Sequence, residues 1–549
     1  MRNWILSAFF LALPSISFAQ SGAALSGIVT SAEEGAMEGV LVSAKKEGSN
    51  ITTTVVSAND GRYSFPASRL TPGKYAVSIR AVGYEIKETS VEVSKGKAAK
   101  ADLKLKVTAD LPAQLSNGEW ISSAPGTDAQ KGVFLNCVNC HTLERVMRSP
   151  YDADTFMKVV LPRMQGYVNQ SIPLQPQHRK GERLMEERGD QRVQVFRSNA
   201  EYLSSVNLGE ATKWPYELKK YPRPSGRATR VIYTEYDLPR ETIQPHDVIV
   251  DADGIAWYSS FGQQFLGRLD PKTGKVTEFP IELNKPGFPT GSLGLRNDKD
   301  GNLWLGNMYQ ATIVKFDRKA EKFTTWKLPP EQNIDAAQVN MVSPQSSHVD
   351  GKVWTQNNGF AGIHRLDIAT GKIETWEPFK NVPKGEPHNI YDVVPDSKNN
   401  VFFTDFRQRH IGRIDAKTGE IKLFEIPTPA SAPRRATMDA QDRLWIGEYR
   451  GDKIAMLDTK TGQFKEWKVE PRWSAPYDVI IDRNEEAWTG SMVTDKITRL
   501  DTKSGKSVEY LLPRKTNVRR VWVDNSTTPV TFWVGNNHGA SIVRLEPLE

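Results

Sequence analysis

Cysteine is nearly absent from this chain, since its 549 residues include only two, Cys137 and Cys140. Both belong to one string, Cys137-Val138-Asn139-Cys140-His141. Two thiols so close together cannot crosslink distant parts of a large fold, so a disulfide-stabilised scaffold is excluded. A structural zinc site needs four ligands, and no further cysteine exists to supply them.

Long apolar runs are also scarce. The one candidate follows Arg2, extends from Trp4 to Leu13 and ends at Pro14, so it is shorter than the ~20 residues that cross a bilayer. Small residues at the −3 and −1 positions, Ser17 and Ala19, predict cleavage after Ala19. We therefore expect residues 1–19 to be a signal peptide, and the mature protein to be periplasmic or secreted with no membrane span.

The net charge of +7 is spread over a long chain, so we expect no nucleic-acid partner. At ~150 residues per domain the length suggests three or four domains. The 14 Trp and 40 Gly favour β-structure with many turns.

The cysteine string is the signature of covalent haem attachment. Cys137 and Cys140 would add across the two haem vinyl groups, and His141 would become the proximal iron ligand. We expect one haem c, attached outside the cytoplasm in agreement with the signal peptide. For the second axial ligand Met164 fits best, because it follows Leu161-Pro162-Arg163 downstream of the motif. The alternatives are Met147, Met185 and His178.

Residues 24–107 predict short alternating strands, with turns at Asp60-Gly61-Arg62-Tyr63 and Pro72-Gly73. This stretch resembles the carboxypeptidase regulatory-like (transthyretin-like) β-sandwich. Residues 125–210 differ, with a short predicted helix before the haem motif and a closing amphipathic helix that contains Tyr202-Leu203. This second stretch is similar to class I cytochrome c, which implies a small α-helical domain.

From residue 228 onward the chain repeats. Seven units carry a central aromatic residue at intervals of 43 to 50 residues: Trp257, Trp304, Trp354, Phe402, Trp445, Trp488 and Trp533. Five units share an Asp-x-x-x-Gly turn between their third and fourth strands, as in Asp270–Gly274. Seven four-stranded units predict a seven-bladed β-propeller over residues 228–549. The stretch 230–236 has no unit of its own, so we expect it to complete the seventh blade. The whole fold is predicted to be mainly β.

The blades resemble the streptogramin (virginiamycin B) lyase family over residues 240–549, in strings such as Asp253-Gly254-Ile255-Ala256-Trp257 and Asp300-Gly301-Asn302-Leu303-Trp304. In that family a His and Glu residues around Mg²⁺ are thought to run an elimination. Here the corresponding strings are incomplete, because Arg450 follows Glu448-Tyr449 and Asn536-Asn537 precedes His538. The resemblance therefore implies the fold more strongly than the activity or the Mg²⁺.

Alternating strand directions place the starts of first strands and the ends of second strands at one mouth of the propeller. We expect catalytic groups there in His246, Glu448 and His538, and substrate-binding groups in Arg434, Tyr477 and Arg519, all outside the blade cores. Because the guanidinium fork matches a carboxylate, the ligand is expected to be anionic.

Three functions are compatible with these features. The first is an exported haem protein that transfers electrons to or from a small-molecule substrate or a redox partner protein at the propeller mouth. The second is a metal-dependent lyase of the streptogramin lyase type. The third is a non-catalytic protein that binds a glycan or a partner and senses redox state.

Overall fold

The computed structural model describes residues 22–139, 141–161, 181–382 and 387–548. The predicted signal peptide, Cys140, Met164 and His178 lie outside the described residues. The chain is mainly β, as predicted, with an N-terminal β-sandwich, a helical stretch and a C-terminal propeller. Across the described ranges, no helix combines the length and apolar character that crossing a bilayer requires.

The N-terminal unit packs two small sheets face to face. Its strands are Ala23–Ser31, Gly35–Ala36, Leu41–Lys46, Ile51–Val56, Arg62–Pro66, Gly73–Arg80, Tyr84–Glu85, Thr89–Val93, Ala99–Lys100 and Leu103–Val107. Strand alternation buries Tyr63 and Phe65 of one sheet against Val42 and Val77 of the other. The β-sandwich predicted for this region is therefore present.

Seven four-stranded antiparallel sheets form the C-terminal region. Blade 1 contains Pro245–Val250, Ala256–Ser260, Phe265–Leu269 and Val276–Pro280; blade 2 contains Leu295–Asn297, Leu303–Asn307, Thr312–Asp317 and Lys322–Lys327. Blade 3 contains Val342–Ser343, Lys352–Asn357, Gly362–Asp367 and Ile373–Trp376; blade 4 contains Ile390–Pro395, Val401–Asp405, His410–Ile414 and Ile421–Glu425. Blade 5 contains Pro433–Met438, Arg443–Glu448, Lys453–Asp458 and Phe464–Lys468; blade 6 contains Ile480–Ile481, Glu486–Gly490, Lys496–Asp501 and Ser507–Leu511. Blade 7 contains Val518–Asp524, Thr531–Asn536, Ser541–Pro547 and Val231–Asp237.

The repeated residues form repeated contacts. Each central aromatic lies in a second strand, and in several blades its indole N–H donates to the Asp six positions earlier, at 2.8 Å from Trp257 to Asp251 and 3.0 Å from Trp488 to Asp482. In the turn after the third strand, the Gly274 N–H donates to the Asp270 carbonyl at 2.8 Å with a φ of 73°. That positive φ explains why glycine recurs at this position.

The strand Val231–Asp237 closes the ring, as predicted, by pairing with Ser541–Pro547. Its other edge pairs with Ile51–Val56 of the sandwich, which the sequence analysis did not anticipate. The seventh blade and one sandwich sheet therefore form a single eight-stranded sheet. Ile232 packs into the sandwich core, and the adjacent Tyr233 packs into the core of blade 7.

Short helices connect the sandwich to the propeller. The described ones are Pro112–Gln114, Asn117–Ser123, Asp128–Lys131, Phe134–Cys137, Glu144–Met147, Ala153–Thr155, a π-helical turn Phe156–Val160, Gly181–Val206 with a non-helical break at Gly189, and Gly226–Thr229. Their apolar residues, including Trp120 and Phe134, share one cluster with Tyr309, Tyr477 and Met492 of the propeller.

The expected separate cytochrome c domain over residues 125–210 is therefore not supported. In the described part of this range most helices are single turns, and their buried apolar residues belong to one cluster with residues of the propeller.

Buried ion pairs join the first strands around the propeller axis. Arg435 of blade 5 donates to both oxygens of Asp247 of blade 1, at 2.5 and 3.0 Å, and Arg520 of blade 7 donates to Asp247 at 3.0 Å. Arg296 of blade 2 binds both oxygens of Asp392 of blade 4, at 2.7 and 2.9 Å. We call these five residues the axial ion ring.

The same aspartates also bind the backbone of the following blade. Asp247 accepts the Leu295 N–H at 2.9 Å, and Asp392 accepts the Ala436 N–H at 3.1 Å. Each carboxylate therefore holds one neighbouring blade through its backbone and a more distant blade through an arginine.

We predict that Asp247→Ala destabilises the whole propeller, because the buried Arg520 loses its carboxylate partner and Arg435 keeps only its longer contact with Asp392, at 3.6 Å. Breaking a buried ion pair from one side costs about 3–5 kcal/mol. Thermal and denaturant unfolding would measure the loss, with Asp253→Ala in the exposed turn of the same blade as control. Equal stability of the two variants would contradict the prediction.

Candidate functional site

The first strands of blades 1, 4, 5 and 7 share a distortion that aims two successive residues at the propeller axis. Each of these strands has a register shift near its start, for example between Pro245 and Val248. A bulge of this kind interrupts the usual alternation of side chains. The second residue of each inward pair is Asp247, Asp392, Arg435 or Arg520 and belongs to the axial ion ring; the first is His246, Tyr391, Arg434 or Arg519 and lies at the mouth.

A hydrogen-bonded chain crosses this mouth. His246 Nδ1 is 2.8 Å from Asp247 Oδ1, and its Nε2 is 3.0 Å from the Tyr477 hydroxyl. The hydroxyls of Tyr477 and Tyr391 are 2.5 Å apart. Burial lowers the pKa of His246 to about 3, so its imidazole is neutral at neutral pH.

The ionisation of Asp247 sets the direction of these bonds. Burial opposes its charge, but Arg435 and Arg520 hold the pKa of Asp247 well below its usual value. The carboxylate therefore accepts the Nδ1 proton of His246, so Nε2 carries a lone pair and accepts the proton of Tyr477.

Arg434 lies at the centre of the mouth, 4% exposed, among aromatic rings. Its Cζ is 4.5 Å from the ring centroids of Tyr449 and Tyr477 and 4.9 Å from those of Tyr391 and Phe406. Its guanidinium donates to Met492 Sδ at 3.0 Å and to Asn139 Oδ1 at 3.3 Å.

Arg519 is equally buried, 1% exposed, and contacts the rings of Phe261 and Tyr477. It donates to the Asn139 carbonyl at 2.8 Å and to Asn537 Oδ1 at 3.5 Å. Burial lowers its pKa. Arg434 and Arg519 thus both contact Asn139, which lies between the two cysteines of the string Cys137–His141.

The helical segment around this string covers the mouth. The Asn517 side chain donates to the Val138 carbonyl at 2.9 Å, and the Tyr449 hydroxyl donates to the Leu135 carbonyl at 3.2 Å. Cys137 is buried beneath it. His246, Arg434, Tyr477 and Arg519, which were expected outside the blade cores, are buried at the mouth. They are buried because this segment packs on top of them.

His141, the last residue of the string, is half-buried. Its Nδ1 lies 2.8 Å from the Thr142 carbonyl. Burial lowers the pKa of its imidazole.

His538 lies next to the haem-attachment string, as a neighbour of Arg519 and His141. Burial, and then the charge of Arg519, lower its pKa well below the usual value. The Val138 backbone is close, but neither ring nitrogen forms a hydrogen bond of regular geometry. This predicted residue therefore does face the mouth.

Glu448 does not join the other predicted catalytic residues in the contacts that the structure describes. It ends its strand opposite Pro433 and Lys453, and its carboxyl lies beside Glu466 and Thr428. The catalytic role expected of Glu448 with His246 and His538 stays a prediction, because Glu448 lies opposite Pro433, one residue before Arg434 of the mouth, while its described carboxyl contacts are Glu466, Lys453 and Thr428.

Sequence reasoning also missed Tyr449 and Met492 as contacts of Arg434. Both lie just beyond second strands, where loop conformation rather than strand alternation decides which side chain turns inward. Among the described residues, no group of three or more His, Cys, Asp or Glu side chains is arranged to hold a metal ion.

Comparison with known proteins agrees with the two β regions. Residues 388–547 match the virginiamycin B lyase family, and residues 24–106 match the carboxypeptidase regulatory-like domain. Neither match includes residues 137–141, so these comparisons give no support to a cytochrome domain. No curated protein matches the chain significantly.

Two of the solved structures to which this chain is similar are those of lyases. A streptogramin B lyase structure is 22% identical with a TM-score of 0.50, covering 59% of this chain and 99% of that one. Virginiamycin B lyase from Staphylococcus aureus is 24% identical with a TM-score of 0.48, covering 57% of this chain and 99% of the lyase. Likeness at this identity shows a shared propeller fold and does not establish a shared activity.

The Glu448 carboxyl gives a testable pH dependence. Burial, reinforced by the nearby Glu466, raises its pKa from 4.5 to about 8. Between these two pH values the Glu448 carboxyl keeps its proton in the folded state and has released it in the unfolded state. The free energy of unfolding therefore falls as the pH rises, by about 1.4 kcal/mol per unit of pKa difference.

We predict that Glu448→Gln reduces this loss of stability between pH 4.5 and 8, which denaturant unfolding at a series of pH values would measure. Glu420→Gln, in an exposed turn, serves as control. An unchanged pH profile in Glu448→Gln would show that this carboxyl ionises normally.

Proposed function

We propose that this chain is an exported haem c protein in which the haem-attachment string and the propeller mouth act as one site for electron transfer. The observation that supports this most is the position of residues 137–141. Asn139 of the string bonds to both Arg434 and Arg519 at the mouth. A ligand held there would lie next to any group attached to the cysteines.

The residues present fit a covalent haem. Cys137 is buried in an apolar cluster with Val133, Phe134 and Leu143, which suits a porphyrin. His141 directs Nδ1 at a backbone carbonyl, which leaves Nε2 for iron, the usual arrangement of an iron-binding histidine. Cys137 and Cys140 would hold the haem covalently, and Met164 would be a further ligand of its iron. When bound, the haem supplies one-electron chemistry at its iron.

The mouth contributes orientation and charge. The neutral His246–Tyr477–Tyr391 chain holds hydroxyl groups in fixed positions, and Arg434 and Arg519 add positive charge in a site from which solvent is largely excluded. These properties suit an anionic small molecule, or an acidic loop of a redox partner, that exchanges electrons with the haem.

The propeller comparisons favour a second candidate, a metal-dependent lyase of the streptogramin lyase type. The family match covers residues 388–547 of the propeller, and the proteins of that family are named as virginiamycin B lyases. In this chain Glu448 and His538 have different surroundings, so a lyase site would need other metal ligands or a rearranged loop. The cover over the mouth would also have to move before a substrate entered.

We predict that the protein, expressed with a cytochrome maturation system, carries one haem that survives denaturing electrophoresis and adds the mass of one haem. Cys140→Ala should strongly reduce covalent attachment, because one thioether is lost. His141→Ala should change the visible spectrum because the proximal ligand is lost, whereas His348→Ala at an exposed turn should not. Wild-type protein without bound haem would refute the proposal.

The lyase candidate is tested with the same variants. Quinupristin, the ligand in the structure of a catalytically inactive S. aureus virginiamycin B lyase, is a suitable probe. Mg²⁺-dependent turnover of quinupristin that persists in Cys140→Ala would favour the lyase over the haem protein.

A further inference from the structure

Five arginines from the first strands are buried around the propeller axis, and they fall into two groups. Arg296, Arg435 and Arg520 of the axial ion ring each bind an aspartate. Arg434 and Arg519, each one residue before a ring arginine, bind neutral acceptors in the described contacts. Adjacent positions on the same strands thus differ in whether the protein supplies an anion.

The hydrogen bonds of the second group are weak or incomplete. A guanidinium has five N–H donors. Arg434 donates to a thioether sulfur and to Asn139 Oδ1 at 3.3 Å, and the neutral hydroxyls of Tyr391 and Tyr449 are within its hydrogen-bonding reach, but its buried Nε has no partner. Arg519 has one good bond, to the Asn139 carbonyl, and its buried Nε also lacks a partner.

Among the described residues, no carboxylate bonds to either guanidinium. Burial opposes the charge of Arg434, and the tyrosines Tyr391, Tyr477 and Tyr449 around it hold its pKa above the usual value. The groups around the two guanidiniums are aromatic rings, amides, a thioether and the neutral His246 and His538. Leaving a buried cation without an anion is unfavourable. The axial ion ring, formed by the next residue of the same strands, shows that this fold can place buried carboxylates beside buried arginines.

The two guanidiniums are close enough to share a ligand. Both reach Asn139, one through its side-chain oxygen and the other through its backbone carbonyl. Both also lie against the Tyr477 ring, with Cζ at 4.5 Å from its centroid for Arg434 and 5.9 Å for Arg519.

We propose that Arg434 and Arg519 together bind a carboxylate, supplied by a small organic acid next to the haem-attachment string. This deepens the proposed function by naming the ligand class of the same mouth. The planar fork of each guanidinium can pair with carboxylate oxygens, and the tyrosine and phenylalanine rings provide flat apolar walls for the rest of the acid.

The haem propionates are a second possible source of the same chemistry. Thioethers to Cys137 and Cys140 would attach a haem through its vinyl-bearing pyrroles on either side of Asn139 in the chain, and the propionates belong to the other two pyrroles. A free acid is therefore the expected occupant of the site.

Calorimetric titration of the full-length holoprotein with acetate, benzoate and succinate tests the proposal. At least one acid should bind, and Arg434→Gln and Arg519→Gln should each weaken that binding by tenfold or more. Arg434→Lys, which keeps the charge but not the fork, should recover part of the affinity. Arg450→Gln, an exposed arginine of the same blade, should bind as the wild type does.

The haem-free Cys137→Ala/Cys140→Ala protein, checked for folding by circular dichroism, separates the two sources. Binding to the holoprotein supports a free acid, whereas binding to the haem-free protein alone assigns the site to the propionates. Absence of binding to both folded proteins, or wild-type affinity in both Gln variants, would overturn the carboxylate site. Haem content is measured separately by mass, so failure of attachment would refute the proposed function without deciding the carboxylate result.

Discussion

Buried ion pairs between aspartates and arginines at the propeller axis hold the seven blades together, and the rest of the structure depends on them. Asp247 and Asp392 each bind arginines from other blades and the backbone N–H of the next blade. A ring of blades has no central element of its own, so contacts across the axis decide whether seven sheets form one body. The arginines of the axial ion ring are buried, and each binds a carboxylate that another blade supplies.

The bulges at the starts of the first strands connect this scaffold to the candidate site. Because two successive residues point inward, the residue that stabilises the ring and the residue that faces the mouth are covalent neighbours, as in Arg434 and Arg435. A change in the mouth is therefore transmitted to the axial ion ring through one peptide unit.

The sequence predicts most of the fold because the fold is repetitive. Central aromatics such as Trp257 and the glycine of each Asp-x-x-x-Gly turn mark the strands, and the missing fourth strand of blade 7 indicates that 230–236 must supply it. The contacts of the Glu448 carboxyl with Glu466 and Thr428 were not predicted, because a repeat alignment assigns a strand position and not the partners of one side chain. The cover formed by residues 134–139 was missed because it depends on long-range packing between helical turns and propeller loops, which local patterns do not encode.

The eight-stranded sheet shared by the sandwich and blade 7 has a mechanical consequence. Five residue pairs between Ile51–Val56 and Val231–Asp237 join the two units through backbone hydrogen bonds rather than through a flexible tether. Rotation of one unit against the other would have to break a β-ladder, so they should tumble as one particle in solution. Separating them would also leave an unprotected strand edge on the propeller, the kind of surface on which β-proteins associate with copies of themselves.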